Sequence, residues 1–158
     1  MTSTDDGHPA ALRRDWVDHA ITRISDAGHR SGAARRRVIG ALAEHDCCLS
    51  AQELHDHLKA DGRSVGIASV YRVLELLAGL HLVQRFDFDG GTSRYEPALP
   101  DGHHHHHLIC TTCGEVSPFH DEGIERAIAG AADAADYAVD DHDIVLRGRC
   151  PACRSGVG

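Results

Sequence analysis

Six cysteines that all fall into close pairs constrain this chain more than any other feature: Cys47-Cys48, Cys110-x-x-Cys113 and Cys150-x-x-Cys153. A CxxC turn presents two thiolates to one side, a bite that fits half of a tetrahedral zinc shell. Two such turns on one ion force the chain between residues 113 and 150 to close on itself. In a reducing compartment this pattern reads as a structural zinc site at Cys110, Cys113, Cys150 and Cys153 rather than as disulfides. Redox dithiols and buried thiol pairs are the other readings. Aromatic residues make up only 4% of the chain, so a small domain here lacks large core side chains and metal binding is expected to contribute to its folding.

Charge divides the chain in two. Residues 1–85 hold 11 Lys/Arg and 11 Asp/Glu, whereas residues 86–158 hold 5 and 13, so the second part carries the whole net charge of −8. An acidic second part suits cations and disfavours nucleic acid, while the neutral first part still concentrates basic residues at Arg35-Arg36-Arg37. No run approaches the roughly 20 apolar residues of a membrane span. Residues 1–9 are polar and acidic, unlike a secretory leader, so a cytoplasmic protein with no membrane partner is expected.

Apolar periodicity predicts helices over 11–27 (Leu12, Trp16, Ala20, Ile24), from Gly32 to about His45, after Ser50 through Leu58, and from Ile67 to Ala78. Ser50 with Glu53 has the form of a capping box, and Asp61-Gly62 ends that helix. After Gly79 the period changes: residues 82–87 and 93–96 read as strands around an Asp89-Gly90-Gly91 turn. Helices followed by a hairpin are the order of a winged helix-turn-helix. Residues 97–102, rich in Pro, Gly and Asp, read as a hinge. Beyond it, strands are expected over 103–110, 115–119 and 139–147, with a helix over 121–134. A small sheet with open edges is a natural route to a homodimer. The expected fold class is α+β: a flexible tail (1–9), an N-terminal winged helix-turn-helix (10–96), a hinge (97–102) and a small α/β dimerisation domain with a zinc-stapled sheet (103–158).

Two further segments carry chemistry. If His103–His107 lies in a strand, alternation sends His105 and His107 to one face and His104 and His106 to the other, so one block can feed two metal sites. An expression tag or solvated filler is the plain reading. The helix opened by Gly66-Ile-Ala-Ser-Val-Tyr-Arg-Val-Leu74 offers Ser69, Tyr71 and Arg72 on a polar face, fit for a major groove. Tyr71 suits a thymine methyl and Arg72 a phosphate or guanine, with Arg35 to Arg37 on the DNA backbone.

With Ser50-Ala-Gln-Glu-Leu54, Gly66 through Leu74, Gly90-Gly91, His104 through Cys113-Gly114 and the terminal CxxC in this order, the chain resembles the ferric uptake regulator family of metal-dependent repressors. The resemblance spans nearly everything beyond about residue 20. It implies a homodimer on a palindromic double-stranded operator, a structural Zn2+ and a second, regulatory Fe2+ or Zn2+. It also implies a dimerisation-domain metal site at His104, His106, Glu125 and His142, and a sensory hinge site at Glu96, His105 and His107. The ligand that the family draws from its DNA-binding half is usually a histidine before the Ser-Ala-x-Glu-Leu helix; here that position is Cys48, and a thiolate there favours zinc. Glu96-Pro97, where zinc sensors of the family carry a cysteine, resembles iron sensors, whereas Pro118 stands where iron and manganese sensors often carry a glutamate. Within the same family the chain could instead sense peroxide through bound-iron histidines or Cys47/Cys48. A metal-storage protein or metallochaperone is the alternative of another class. An enzyme is not expected: a catalytic zinc needs an open position and a nearby base, and no HExxH spacing is present.

Overall fold

Trp16 organises the first part of the molecule. It sits fully buried on α1 (Ala10–Asp26) and its indole Nε1 donates to the Leu82 carbonyl at 2.9 Å, tying the first helix to the start of the hairpin. The computed structural model describes residues 10–88, 91–99 and 105–156, in two compact units that divide near His103. Residues 1–9, Asp89-Gly90, 100–104 and 157–158 lie outside the described residues. The expected tail, most of the 89–91 turn, the second half of the expected hinge, His103 and His104 therefore lie outside them too.

In the first unit, α2 (Ala33–Ala43), α3 (Ala51–Ala60) and α4 (Ile67–Gly79) follow α1. Their apolar stripes meet in one core that includes Ile24, Ile39, Leu42, Leu54, Leu74 and Leu77. The capping box forms as expected: Glu53 N–H donates to Ser50 Oγ at 3.2 Å, and Ser50 N–H donates to Glu53 Oε2 at 2.8 Å. α4 ends through His81, which adopts φ +55 while its N–H reaches the Ala78 carbonyl and that of Leu82 reaches Leu77. A left-handed residue closing a helix in this way is usually glycine.

The hairpin is β2 (Val83–Phe88) and β3 (Thr92–Pro97), antiparallel with Arg85 opposite Tyr95. A two-residue strand, β1 (Leu49–Ser50), adds to the far edge of β3, giving the order β1-β3-β2. Two residues are too few to show a period, so β1 had no trace in the sequence.

The second unit is a three-stranded sheet in the order β5-β4-β6 with one helix. β4 (His106–Cys110) pairs antiparallel with β5 (Val116–Phe119) and parallel with β6 (Val145–Gly148). β6 begins well after the expected residue 139. Asp136 turns the chain with φ +57 after α5 (Glu122–Ala134), and Asp140-Asp141-His142-Asp143 is poor strand sequence. A short α6 (Pro151–Arg154), unforeseen, starts with Pro151 at its first position, where the missing N–H costs nothing. Among the described residues of this unit only His105, His106, His107 and Cys110 are buried, and α5 buries none. The buried side chains of this unit are imidazoles and a thiol rather than hydrocarbon.

Candidate metal centres and nucleic-acid interface

The two CxxC turns come together. The Sγ atoms of Cys110, Cys113, Cys150 and Cys153 all lie within 4.8 Å of one another, with Cys113 and Cys150 at 3.8 Å, and none is in a disulfide. Tetrahedral thiolates at the ~2.3 Å zinc–sulfur distance stand about 3.8 Å apart, so the donor set fits the ion. Local backbone explains the convergence. Gly114 takes φ +77, which lets its N–H return to the Cys110 carbonyl at 2.9 Å and closes the first turn. Thr111 donates from its N–H and its hydroxyl to the Gly148 carbonyl, docking the second turn on the first. The Cys150 N–H points at Cys110 Sγ at 3.3 Å. That amide, followed by the Cys113 amide, brings the Cys110 thiol down to about 6. The neighbouring Cys150 thiol pushes Cys153 up to about 12, since so many thiolates cannot share the space without a cation.

The histidine run alternates as its strand requires. His106 points to one face, where its Nε2 meets Glu125 Oε1 at 2.8 Å; Glu125 Oε2 meets His142 Nε2 at 3.0 Å. One carboxylate from the first turn of α5 thus bridges two imidazoles, with His106 fully buried. These donors suit a divalent transition ion. His104, expected beside them, lies outside the described residues.

His105 and His107 occupy the opposite face, their rings edge-on at 5.0 Å, and His107 Nδ1 lies 3.7 Å from Asp143 Oδ1. Asp143 was not singled out from the sequence; a carboxylate behind a ligand imidazole fixes its tautomer and orientation. The acidic run 140–143 was its one trace.

In the first unit, Glu96 is buried on β3, and one of its carboxylate oxygens lies within 4.8 Å of Cys47 Sγ. Cys48, the residue expected beside Glu96, is 2% exposed with its sulfur 3.9 Å from that of Cys47. Burial and the adjacent Cys47 thiol raise its pKa, the hydrogen bond from Cys47 being the larger effect. Cys47 is thus the more open thiol. Arg94, which sequence reasoning also missed, holds this corner together. It donates to the Cys48 carbonyl at 3.2 Å and to Glu53 Oε1 at 2.8 Å, linking β3 to the capped start of α3. A single arginine in a strand-like run carries no distinguishing pattern.

On α4, Tyr71 is 49% exposed and Arg72 is exposed, with Ser69 half-buried beside them. The four apolar residues Val70, Val73, Leu74 and Leu77 hold the opposite face in the core. Arg35 is half-buried, its guanidinium against the Arg30 carbonyl, while Arg36 and Arg37 are more open.

A winged-helix unit followed by a sheet unit built around a tetrathiolate cluster and imidazole–carboxylate groups defines a class, the metal-responsive transcription regulators. The model of the Ferric uptake regulator family matches residues 26–147. The chain is 38% identical over 133 residues to the ferric uptake regulation protein of Legionella pneumophila, covering 84% of this chain and 96% of that one. The crystal structure of the Vibrio cholerae ferric uptake regulator shares 34% identity at a TM-score of 0.72, over 82% of this chain and 98% of that one. The iron-bound regulator of Francisella tularensis gives 29% and 0.67, over 80% and 96%. The chain belongs to the ferric uptake regulator family. Among the described residues no helix is long and apolar enough to cross a membrane.

Proposed function

We propose that the chain is a cytoplasmic repressor that binds a palindromic operator as a homodimer when a regulatory metal ion is bound, and controls metal-homeostasis genes. The observation that carries this reading is the alternation of one histidine run onto two faces of the second unit's sheet, in a chain whose first unit is a winged helix. One tetrathiolate zinc would staple the second unit. His106, Glu125 and His142, with His104, would hold a second ion. Glu96 and a cysteine of the 47–48 pair would join His105 and His107 around the sensed ion, Fe2+ or Zn2+. A thiolate among the ligands tilts the choice toward zinc, and the more open Cys47 is the better donor of the pair.

These sensory ligands lie on both sides of residues 97–102. Binding by both sets would narrow the range of orientations open to the two reading heads of a dimer, favouring the spacing of two half-sites. Ser69, Tyr71 and Arg72 would then face the groove, and Arg35 with its neighbours the phosphates. Operator binding measured by fluorescence anisotropy, with and without each metal, tests this. The double substitution His105→Ala, His107→Ala is expected to abolish the metal dependence; metal-stimulated binding that survives it would refute the proposal.

A further inference from the structure

The ends of α2 and α3 converge in a cluster that none of these sites uses. Glu44 caps the C-terminus of α2, Asp61 caps that of α3, and His57 lies in the last turn of α3. His57 Nε2 is 3.3 Å from Asp61 Oδ2 and 3.6 Å from Glu44 Oε2, and one donor atom of each residue lies within 4.8 Å of the other two. Neighbouring nitrogen and oxygen donors on one ion, each at 2.0–2.2 Å, stand ~3.0–3.5 Å apart. The His57–Asp61 distance falls in that range and the His57–Glu44 distance just beyond it.

The local field already selects for a cation. Two helix C-termini turn the negative ends of their dipoles toward the cluster, and the two carboxylates add their charges. Arg63 answers both: Nη1 and Nη2 reach Glu44 at 2.9 and 2.6 Å, and Nη2 reaches Asp61 at 2.6 Å. The Arg63 hydrogen bonds hold both carboxyls below the usual range, so they are anionic near neutrality. The guanidinium and the His57 imidazole share the two carboxylates. The His45 ring packs edge-on against that imidazole, centroids 4.4 Å apart, which fixes its plane. His45 Nε2 is buried and takes no hydrogen bond among the described residues.

We propose that Glu44, His57 and Asp61 form a binding site for a borderline divalent ion such as Zn2+ or Co2+, in competition with the Arg63 guanidinium. An ion held there pins the end of α2 to the end of α3, the two helices that support α4. The site lies wholly within the winged-helix unit and depends on none of the thiolate or histidine-run clusters, so it stands or fails apart from the repressor reading.

Full-length protein with its tighter sites already filled with Zn2+ is titrated calorimetrically with further Zn2+, while Trp16 fluorescence follows thermal unfolding of the first unit. An additional equivalent is expected, accompanied by a rise in the Trp16 midpoint. His57→Ala should weaken that equivalent by about tenfold or more, within the range seen when groups supporting a metal are removed. Arg63→Gln should strengthen it, because the competitor is gone. The opposite signs separate an ion site from an ordinary ion pair. If His57→Ala binds as many equivalents as the parent with equal affinity, or if Arg63→Gln weakens binding while the Trp16 transition stays cooperative, the proposal is wrong. Should Arg63→Gln fail to fold, the isosteric pair Glu44→Gln and Asp61→Asn replaces it; retention of the additional equivalent in both overturns the site.

Discussion

Replacing Cys150 with serine should melt the second unit while leaving the first intact. The thiolate staple joins Cys113 to Cys150 across a sequence separation of 37. On the scale used for cross-links, closing a loop of that length removes about 4 kcal/mol of chain entropy from the unfolded state. A whole domain is commonly stable by only ~5–15 kcal/mol. Little else compensates in this unit, where among the described residues no aliphatic or aromatic hydrocarbon side chain is fully buried and α5 buries none. The loss is therefore comparable with everything the unit can muster as a single copy. The chain has one tryptophan, and Trp16 lies fully buried in the first unit, so its fluorescence reports that unit alone. Hydrogen exchange of the β4–β6 ladder, such as the amides around Leu108 and Leu146, reports the second. In Cys150→Ser, or after strong chelation, ladder protection should collapse while the Trp16 transition keeps its midpoint. Ladder protection equal to that of the parent would refute the idea that metal substitutes for a hydrocarbon core.

Three further outcomes follow from the geometry. Glu125→Gln keeps the shape of the bridge but removes its charge, and should lower divalent affinity at the His106/His142 cluster by roughly 10–100-fold in a chelator competition, with the tetrathiolate zinc retained. Because the folded protein holds the Cys110 thiol at about 6 against the 9.0 of an ordinary thiol, its anion stabilises the fold fully only above about 9, and that contribution declines as pH falls and is gone below about 6. Zinc release to a chromogenic chelator should rise over the same interval. On α4, Arg72→Ala should reduce the salt dependence of operator binding by about one unit of slope if it contacts phosphate, whereas Tyr71→Ala should cost ~1–3 kcal/mol on the preferred operator and less on unrelated DNA.

Much of this architecture was legible because its determinants are local. The capping box needs only Ser50 and Glu53, the Cys113-Gly114 turn needs one glycine at positive φ, and α4 declares itself through Val70, Val73, Leu74 and Leu77. The two faces of the histidine run follow from strand alternation alone. What escaped depends on partners remote in sequence or on runs too short to carry a period. β1 exists because Leu49 finds Tyr95. Asp143 matters because β6 runs parallel to β4 and carries the preceding loop past His107. Arg94 joins Glu53 across 41 positions, a link no spacing rule anticipates. Which of the adjacent Cys47 and Cys48 the core buries was not legible either, because the exposure of neighbours on an irregular segment is set by packing, not by pattern.

The shared use of β4 limits how a protein of this design can change its metal preference. Inserting or deleting one residue in the histidine run would exchange its two faces, handing the ligands of each centre to the other and shifting the pairing with both flanking strands at once. Both centres are therefore locked to a single reading frame along the strand. Under the proposed reading, retuning would come from the remaining ligands of each centre, Glu125 and His142 among them, by exchange of one side chain for another. The histidine strand acts as a fixed keyboard, and selectivity is composed by what is set against it.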